Sequence, residues 1–223
     1  MMDLGGRSVL SHVLGRCLSI KNADVVCCAI PHGDDCNQIA EEAIRCGAVV
    51  SRGSETDVLE RYHQAAILVN AGRVLRVTSD CPLIDPRVCE SVIDLLNDGN
   101  CNFATNNAPP SWPHGLDCEA FSAALLAQAA AEASEPFERE HVSPWMRNAN
   151  PDVHIGNIAA PQDGLSKHRW TLDTPADFTF FCRLFERMAQ GDDKGSDTFD
   201  YKVPLAIVEA DPVLAAINTV SEA

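Results

Sequence analysis

The chain has too little positive charge for a nucleic-acid binder. Lys and Arg number 17 against 32 Asp and Glu, a formal net charge of −15. Such a surface repels phosphate backbones, which excludes DNA or RNA binding through a basic patch. A nucleotide substrate is still compatible, because a metal ion and a few arginines can offset charge locally. No apolar run reaches the length of a membrane span, and Met1 to Ser8 has no apolar core of a signal peptide. No membrane partner is expected, and a cytoplasmic protein is. There are ten cysteines but no Cys-x-x-Cys pair and no zinc spacing, and Cys27 and Cys28 are adjacent. That pattern predicts small buried hydrophobes in a reducing compartment, not a disulfide framework. No Walker loop, Gly-x-Gly-x-x-Gly or Gly-x-Ser-x-Gly occurs. Nor does an Asp-x-Asp triplet, which counts against a metal-dependent glycosyltransferase.

What is present is an alternation of short apolar runs and helix patterns. Val9, Leu10, Val13 and Leu14 share one helical face. Residues 24–30 and 48–51 read as buried strands, with a helix over 34–46 between them that Gly47 closes. Ser54-x-x-Asp57 signals a capping box before a helix carrying Val58, Leu59, Tyr62 and Val69. Residues 74–78 form a third strand, and Asp85-Pro86 caps the next helix. Further strands are expected at 102–106, 117–121, 154–158 and 168–172. Helices are expected at 122–132 and 138–147, the latter limited by Pro144. Thr174-Pro175-x-Asp177 opens the last long helix. A polar linker follows over 191–200, and a short helix begins near Pro212. These elements divide the chain into an α/β domain, 1–190, and a linker with a helical extension, 191–223. The alternation predicts an α/β fold with a mainly parallel sheet and helices on both faces. Sites in such sheets lie beyond the carboxyl ends of the strands.

That rule singles out two carboxylates. Asp80 ends a strand and precedes a Cys-Pro turn, where it can hold a hard cation such as Mg²⁺ through oxygen. The alternative is a turn Asp or an N-cap. Asp173 also follows a strand and precedes a helix, so the two could share one ion. Asp85 and Asp177 read as helix caps. His114 and Asp117 follow a Pro-rich loop and could line a sugar pocket. The stretch Glu138-Arg139-Glu140-His141 could face the crevice or be a solvated helix face.

Five segments occur in a telling order: Ser51-Arg-Gly-Ser-Glu-Thr-Asp-Val-Leu-Glu-Arg-Tyr62, Arg76-Val-Thr-Ser-Asp-Cys-Pro-Leu-Ile-Asp-Pro86, His114-Gly-Leu-Asp-Cys-Glu119, Glu138-Arg-Glu-His-Val-Ser-Pro144 and Arg169-Trp-Thr-Leu-Asp-Thr-Pro-Ala-Asp-Phe178. Together the chain resembles the cytidylyltransferase family, in its spore-coat polysaccharide synthesis branch. The resemblance implies a GT-A-like, Rossmann-type nucleotide-diphospho-sugar transferase fold. It implies transfer of CMP from CTP to an acidic sugar with release of pyrophosphate, Mg²⁺ as cofactor, and a homodimer, with 106–144 as the expected contact. By position, Asp80 and Asp173 match the family's two metal-binding carboxylates and serve as the catalytic pair. Arg52 and Ser54 match a segment near the nucleotide, and Arg139 and His141 the acceptor side. Arg76 and Arg169, from the two carboxylate motifs, join His114 and Asp117 as substrate-binding candidates. The family pattern opens with a strand and a basic loop ending Leu-Pro-Gly-Lys, placed just before the stretch matched by Met1 to Gly6. The resemblance therefore implies that the first strand and the main triphosphate cradle are missing, with activity impaired. Two other readings compete: a glycosyltransferase on the same fold, and a non-catalytic nucleotide-sugar binding module. Without metal, repulsion between Asp80 and Asp173 predicts a raised pKa for at least one of them.

Overall fold

The structure is a computed structural model that describes residues 1–190 and 197–219. The chain begins in an antiparallel hairpin of two-residue strands, β1 (Asp3–Leu4) and β2 (Arg7–Ser8). Helix α1 (Val9–Leu18) starts at once because the Ser8 hydroxyl accepts the Ser11 N–H at 3.0 Å. Its Val9, Leu10, Val13 and Leu14 are buried, as their spacing predicts. Strand β3 (Cys27–Pro31) is followed by a 3₁₀ turn at Asp34–Cys36 and helix α2 (Asn37–Cys46), which Gly47 closes in the left-handed conformation. Strand β4 (Val49–Gly53) runs parallel to β3. Helix α3 (Val58–Leu68) is capped by Asp57, which accepts the Glu60 N–H at 2.9 Å. The expected cap, Ser54, instead holds the Asp57 N–H at 3.0 Å in the turn before the helix. Both Ser and Asp are good N-caps, and the sequence alone could not tell which would be used.

Strand β5 (Arg73–Arg76) leads through residues 77–85 into helix α4 (Pro86–Asn97), capped by Asp85 as expected. Strands β6 (Phe103–Thr105) and β7 (Glu119–Ser122), helices α5 (Ala123–Glu132) and α6 (Pro136–His141), a π-helical turn at Trp145–Ala149 and strand β8 (Ile155–Asn157) follow. Helices α7 (Pro175–Met188), α8 (Lys202–Ala210) and α9 (Pro212–Ala215) end the described chain. Most of the linker expected over 191–200 lies outside the described residues.

The fold is α/β, but its larger sheet is mixed. The order is β5-β7-β6-β8, with β7 antiparallel to both neighbours and β6 parallel to β8. Parallel neighbours need a crossover, usually helical. Residues 106–118 between β6 and β7 form no helix, so β7 returns against β6. Among the described residues, β3 and β4 form a separate parallel pair, with no ladder joining β3 to β5.

Side chains alternate across the larger sheet with the period of two that strands impose. Val74, Phe103 and Phe121 pack with Leu59 of α3, Leu126 of α5 and Met146 of the π turn. Leu75, Ala104 and Ala120 pack on the other face with Val13 of α1 and Cys89 and Val92 of α4. A third cluster joins Trp170, Phe180, Phe181 and Leu184 to Tyr201, Leu205, Val208 and Leu214, so α8 and α9 share the core of the domain. All ten cysteines are free thiols, none of them fully exposed. Burial raises the pKa values of Cys17, Cys27, Cys28, Cys46, Cys81, Cys101 and Cys182, that of Cys28 to about 11.

The strand expected at 168–172 does not form. That segment is extended, yet it is stitched to two loops and to no strand. His114 N–H donates to the His168 carbonyl at 3.0 Å, Trp170 N–H to the His114 carbonyl at 2.5 Å, and Leu172 N–H to the Asp80 carbonyl at 2.9 Å. Gly115 permits this approach: its φ is +112°, and a Cβ there would lie 2.1 Å from the Trp170 carbonyl oxygen.

Candidate active site

The stitched segment sets Asp80 beside Asp173. Thr171, fully buried between them, places its hydroxyl 2.9 Å from Oδ2 of Asp80 and 3.3 Å from Oδ2 of Asp173. Laid end to end, those distances put the two oxygens no more than about 6.2 Å apart. Nothing in the sequence marks Thr171: a threonine before a loop carries no signal of its own.

Asp80 is half-buried, and burial pushes its pKa up. The Thr78 and Thr171 hydroxyls, its own backbone N–H and the Cys81 thiol outweigh burial, and the net shift is downward. The rise expected from carboxylate repulsion is thus not found at Asp80: hydroxyl donors stabilise its charged form. The residue pushed upward is Asp117. Burial is the main cause, helped by the charges of Glu119 and Asp80 and opposed by the Gly115 N–H and His114. His114 is exposed, with Nε2 3.8 Å from Oδ2 of Asp117.

Asp173 is exposed and held from below. Arg169 donates from Nη2 to its Oδ2 at 2.6 Å and grips Asp177 through Nε at 3.0 Å and Nη2 at 3.1 Å. Asp177 has no exposed surface. It caps α7, accepting the Asp173 and Thr174 N–H groups at 3.1 and 2.9 Å, and the Asn218 amide reaches it at 3.0 Å. Burial opposes its ionisation, but the Arg169 and Asn218 bonds dominate and hold its pKa far below the usual range. The turn bearing Asp173 is therefore fixed by a buried charged network.

Asp80, His114, Asp117, Arg169 and Asp173 come together at this place. Arg76 lies one step away, in register with Glu119 and bonded to it at 3.0 Å. Four candidates are engaged elsewhere. Arg52 donates to the Gly33 carbonyl at 2.8 Å and to Asn37 at 2.7 Å, and Ser54 braces the turn before α3. Arg139 spends its guanidinium on Asp57 and on the Ala130 and Ala133 carbonyls, tying α6 to α3. His141 is exposed and its ring tilts against Phe137, centroids 4.4 Å apart.

The donors at Asp80 and Asp173 suit a hard divalent cation. Mg²⁺ is held by one or two carboxylates and otherwise by water and phosphate oxygens. Two carboxylates this close meet that need, and Oδ1 of Asp173 has no hydrogen-bond partner among the described residues. Among those residues no cluster of three or more metal-ligating side chains forms.

Comparison with known proteins agrees with this architecture. The cytidylyltransferase family model matches residues 1–174. An uncharacterized protein of Methanocaldococcus jannaschii is 29% identical over 186 residues, covering 82% of this chain and 75% of its own length. The spore coat polysaccharide biosynthesis protein SpsF of Bacillus subtilis is 28% identical over 153 residues, 67% of this chain and 62% of its own length, so the match spans less than two thirds of SpsF. A solved cytidylyltransferase from Leptospira borgpetersenii serovar Hardjo-bovis superposes with a TM-score of 0.88 at 26% identity, over 99% of this chain and 91% of that one. A CMP:2-keto-3-deoxy-manno-octonic acid synthetase solved with CTP shares the fold, with a TM-score of 0.62 at 17% identity over 85% and 90% of the two chains.

Proposed function

Because the chain belongs to the cytidylyltransferase family, we propose that it transfers CMP from CTP to an acidic sugar, releasing pyrophosphate, for a surface polysaccharide. The observation that carries this reading is the Thr171 hydroxyl set between Asp80 and Asp173. Those two carboxylates would hold Mg²⁺, which when bound supplies Lewis-acid stabilisation of phosphate oxygens. Arg169 keeps Asp173 aimed at the site. Asp117, with its raised pKa, is suited to accept the hydrogen bond of the attacking hydroxyl and to take its proton. The sugar oxygen then bonds to the α-phosphorus as the bond to the leaving pyrophosphate breaks.

A homodimer joined through 106–144 belongs to the same reading. Phe137, 61% exposed, lies within that stretch and gives it an apolar contact. Light scattering that finds only monomer at every workable concentration removes the dimer. No helix among the described residues is long and apolar enough to cross a membrane, in keeping with a soluble substrate.

The test is pyrophosphate release from CTP with a panel of acidic sugars, 2-keto-3-deoxy-manno-octonic acid included. Release that needs both sugar and Mg²⁺ supports the reading. A nucleoside diphosphate as product would point to glycosyl transfer. Binding of CTP without turnover by any acceptor would point to a binding module.

A further inference from the structure

Two arginines converge on one buried carboxylate beside the site. Glu119 of β7 accepts from Nη1 of Arg76 at 3.0 Å, from Nη1 of Arg147 at 3.4 Å and from the Ser143 hydroxyl at 2.9 Å. Two permanent positive charges meet on one carboxylate in a chain of net charge −15. Arg16 and Arg139, by contrast, each engage Nε, Nη1 and Nη2. Arg76 and Arg147 each commit one nitrogen, and among the described residues the Nε of Arg76 has no partner. Both side chains keep a solvent-facing part, 20% for Arg76 and 30% for Arg147.

The backbone is bent to assemble this cluster. Val142 is fully buried with φ +71° and ψ −58°, and the Ser143 N–H donates to the His141 carbonyl at 2.8 Å. This is a positive-φ γ-turn, rare and strained, and costlier still for a β-branched residue. It delivers Ser143 to Glu119, and the π-helical turn that follows brings Arg147 to the same carboxylate. Strain of this kind persists only where surrounding contacts impose it, and it gathers at functional sites. Asp117 lies two residues before Glu119 and feels the charges of both Glu119 and Asp80, so the cluster lies near Asp80.

We propose that Arg76 and Arg147, gathered by Glu119, receive the carboxylate of the acceptor sugar. Two guanidiniums that share one carboxylate and keep uncommitted nitrogens can donate to a planar oxyanion, and charge-assisted bonds of this kind are the strong ones. The acceptor's identity as an acidic sugar rests on the function proposed above; the anion site itself does not. A phosphoryl group offers the same oxyanion chemistry, and the test separates the two.

The guanidinium Nε–H signals of the full chain are followed by nitrogen-15 NMR, without CTP or metal. The protein is titrated with pyruvate, the simplest 2-keto carboxylate, with inorganic phosphate, and with chloride at matched ionic strength. Saturable shifts of the Arg76 and Arg147 signals with pyruvate, absent with chloride, are expected. Arg147→Gln should weaken pyruvate binding about tenfold in a protein that stays folded, since Glu119 keeps Arg76 and Ser143, as expected for loss of one charge-assisted partner. Arg147→Lys should recover part of it. Arg76→Gln gives an independent second loss. No saturable shift, shifts that chloride reproduces, or phosphate binding tighter than pyruvate overturns the proposal. A protein that binds pyruvate here but never releases pyrophosphate from CTP refutes the proposed CMP transfer and leaves the carboxylate site at Arg76 and Arg147 standing.

Discussion

Asp177→Asn should cost the protein about 3 kcal/mol, and the structure says why. Asp177 is completely buried and accepts from two nitrogens of Arg169, the amide of Asn218, two backbone N–H groups and the Thr174 hydroxyl. Asparagine keeps the shape but turns an NH₂ toward donors and removes the charge facing Arg169. Removing one partner of a buried ion pair costs about 3–5 kcal/mol. Arg169 keeps its bond to Asp173 and is 21% exposed, which favours the low end. Urea denaturation at pH 7 should therefore show a lower midpoint with an unchanged slope. The pH dependence has a definite sign. The folded pKa of Asp177 is depressed, so its contribution is fully present above the unfolded value of about 3.9. It is lost as pH falls below that value toward the folded pKa. The gap between wild type and variant should thus be constant near neutrality and shrink below about pH 4. A loss under about 1 kcal/mol, or a gap that widens on acidification, would mean that the Asp177 carboxylate does not hold this network as an ion.

Thr171→Val removes the hydroxyl between the two site carboxylates; the Asp80 pKa, followed by carbon-13 NMR, should rise because burial is then less opposed. An unmoved Asp80 titration would mean the hydroxyl does not hold it. Gly115→Ala places a Cβ against the Trp170 carbonyl at a positive φ, and should destabilise the fold by about 2 kcal/mol or more in the same urea assay. A neutral substitution there would show that the His114–Trp170 contact is looser than the structure has it.

The metal-site candidates were legible because strand-end carboxylates follow from a local pattern, and Asp80 and Asp173 needed only to be placed at the ends of extended segments. What joins them was not legible. Thr171 acts through a contact 91 residues away in sequence, which no local pattern encodes. The segment around it reads as a strand from its apolar residues, yet its partners are the loops at His114 and Asp80. The antiparallel entry of β7 depends on how the loop over 106–118 returns, and composition does not fix that. Helix α8 carries Pro204, which speaks against a helix in the sequence but is tolerated in the first turn, where its missing N–H has no intrahelical role. Charged residues misled in the other direction: Arg139 looks like a site residue from its motif, and the fold spends it on fastening α6 to α3. Arg147 and Glu119 carried no expectation, because their meaning arises only when β5, β7 and the π turn meet.

The most direct test of the proposed function is the affinity for CTP, measured by calorimetry with and without Mg²⁺, in the wild type and in Asp80→Asn and Asp173→Asn. This reads the metal pair without needing the true acceptor. Mg²⁺ should tighten CTP binding by the wild type, and either substitution should abolish that gain, with thermal stability little changed. CTP binding that is indifferent to Mg²⁺, or that keeps its full metal dependence in either variant, would contradict the proposed metal role of the pair.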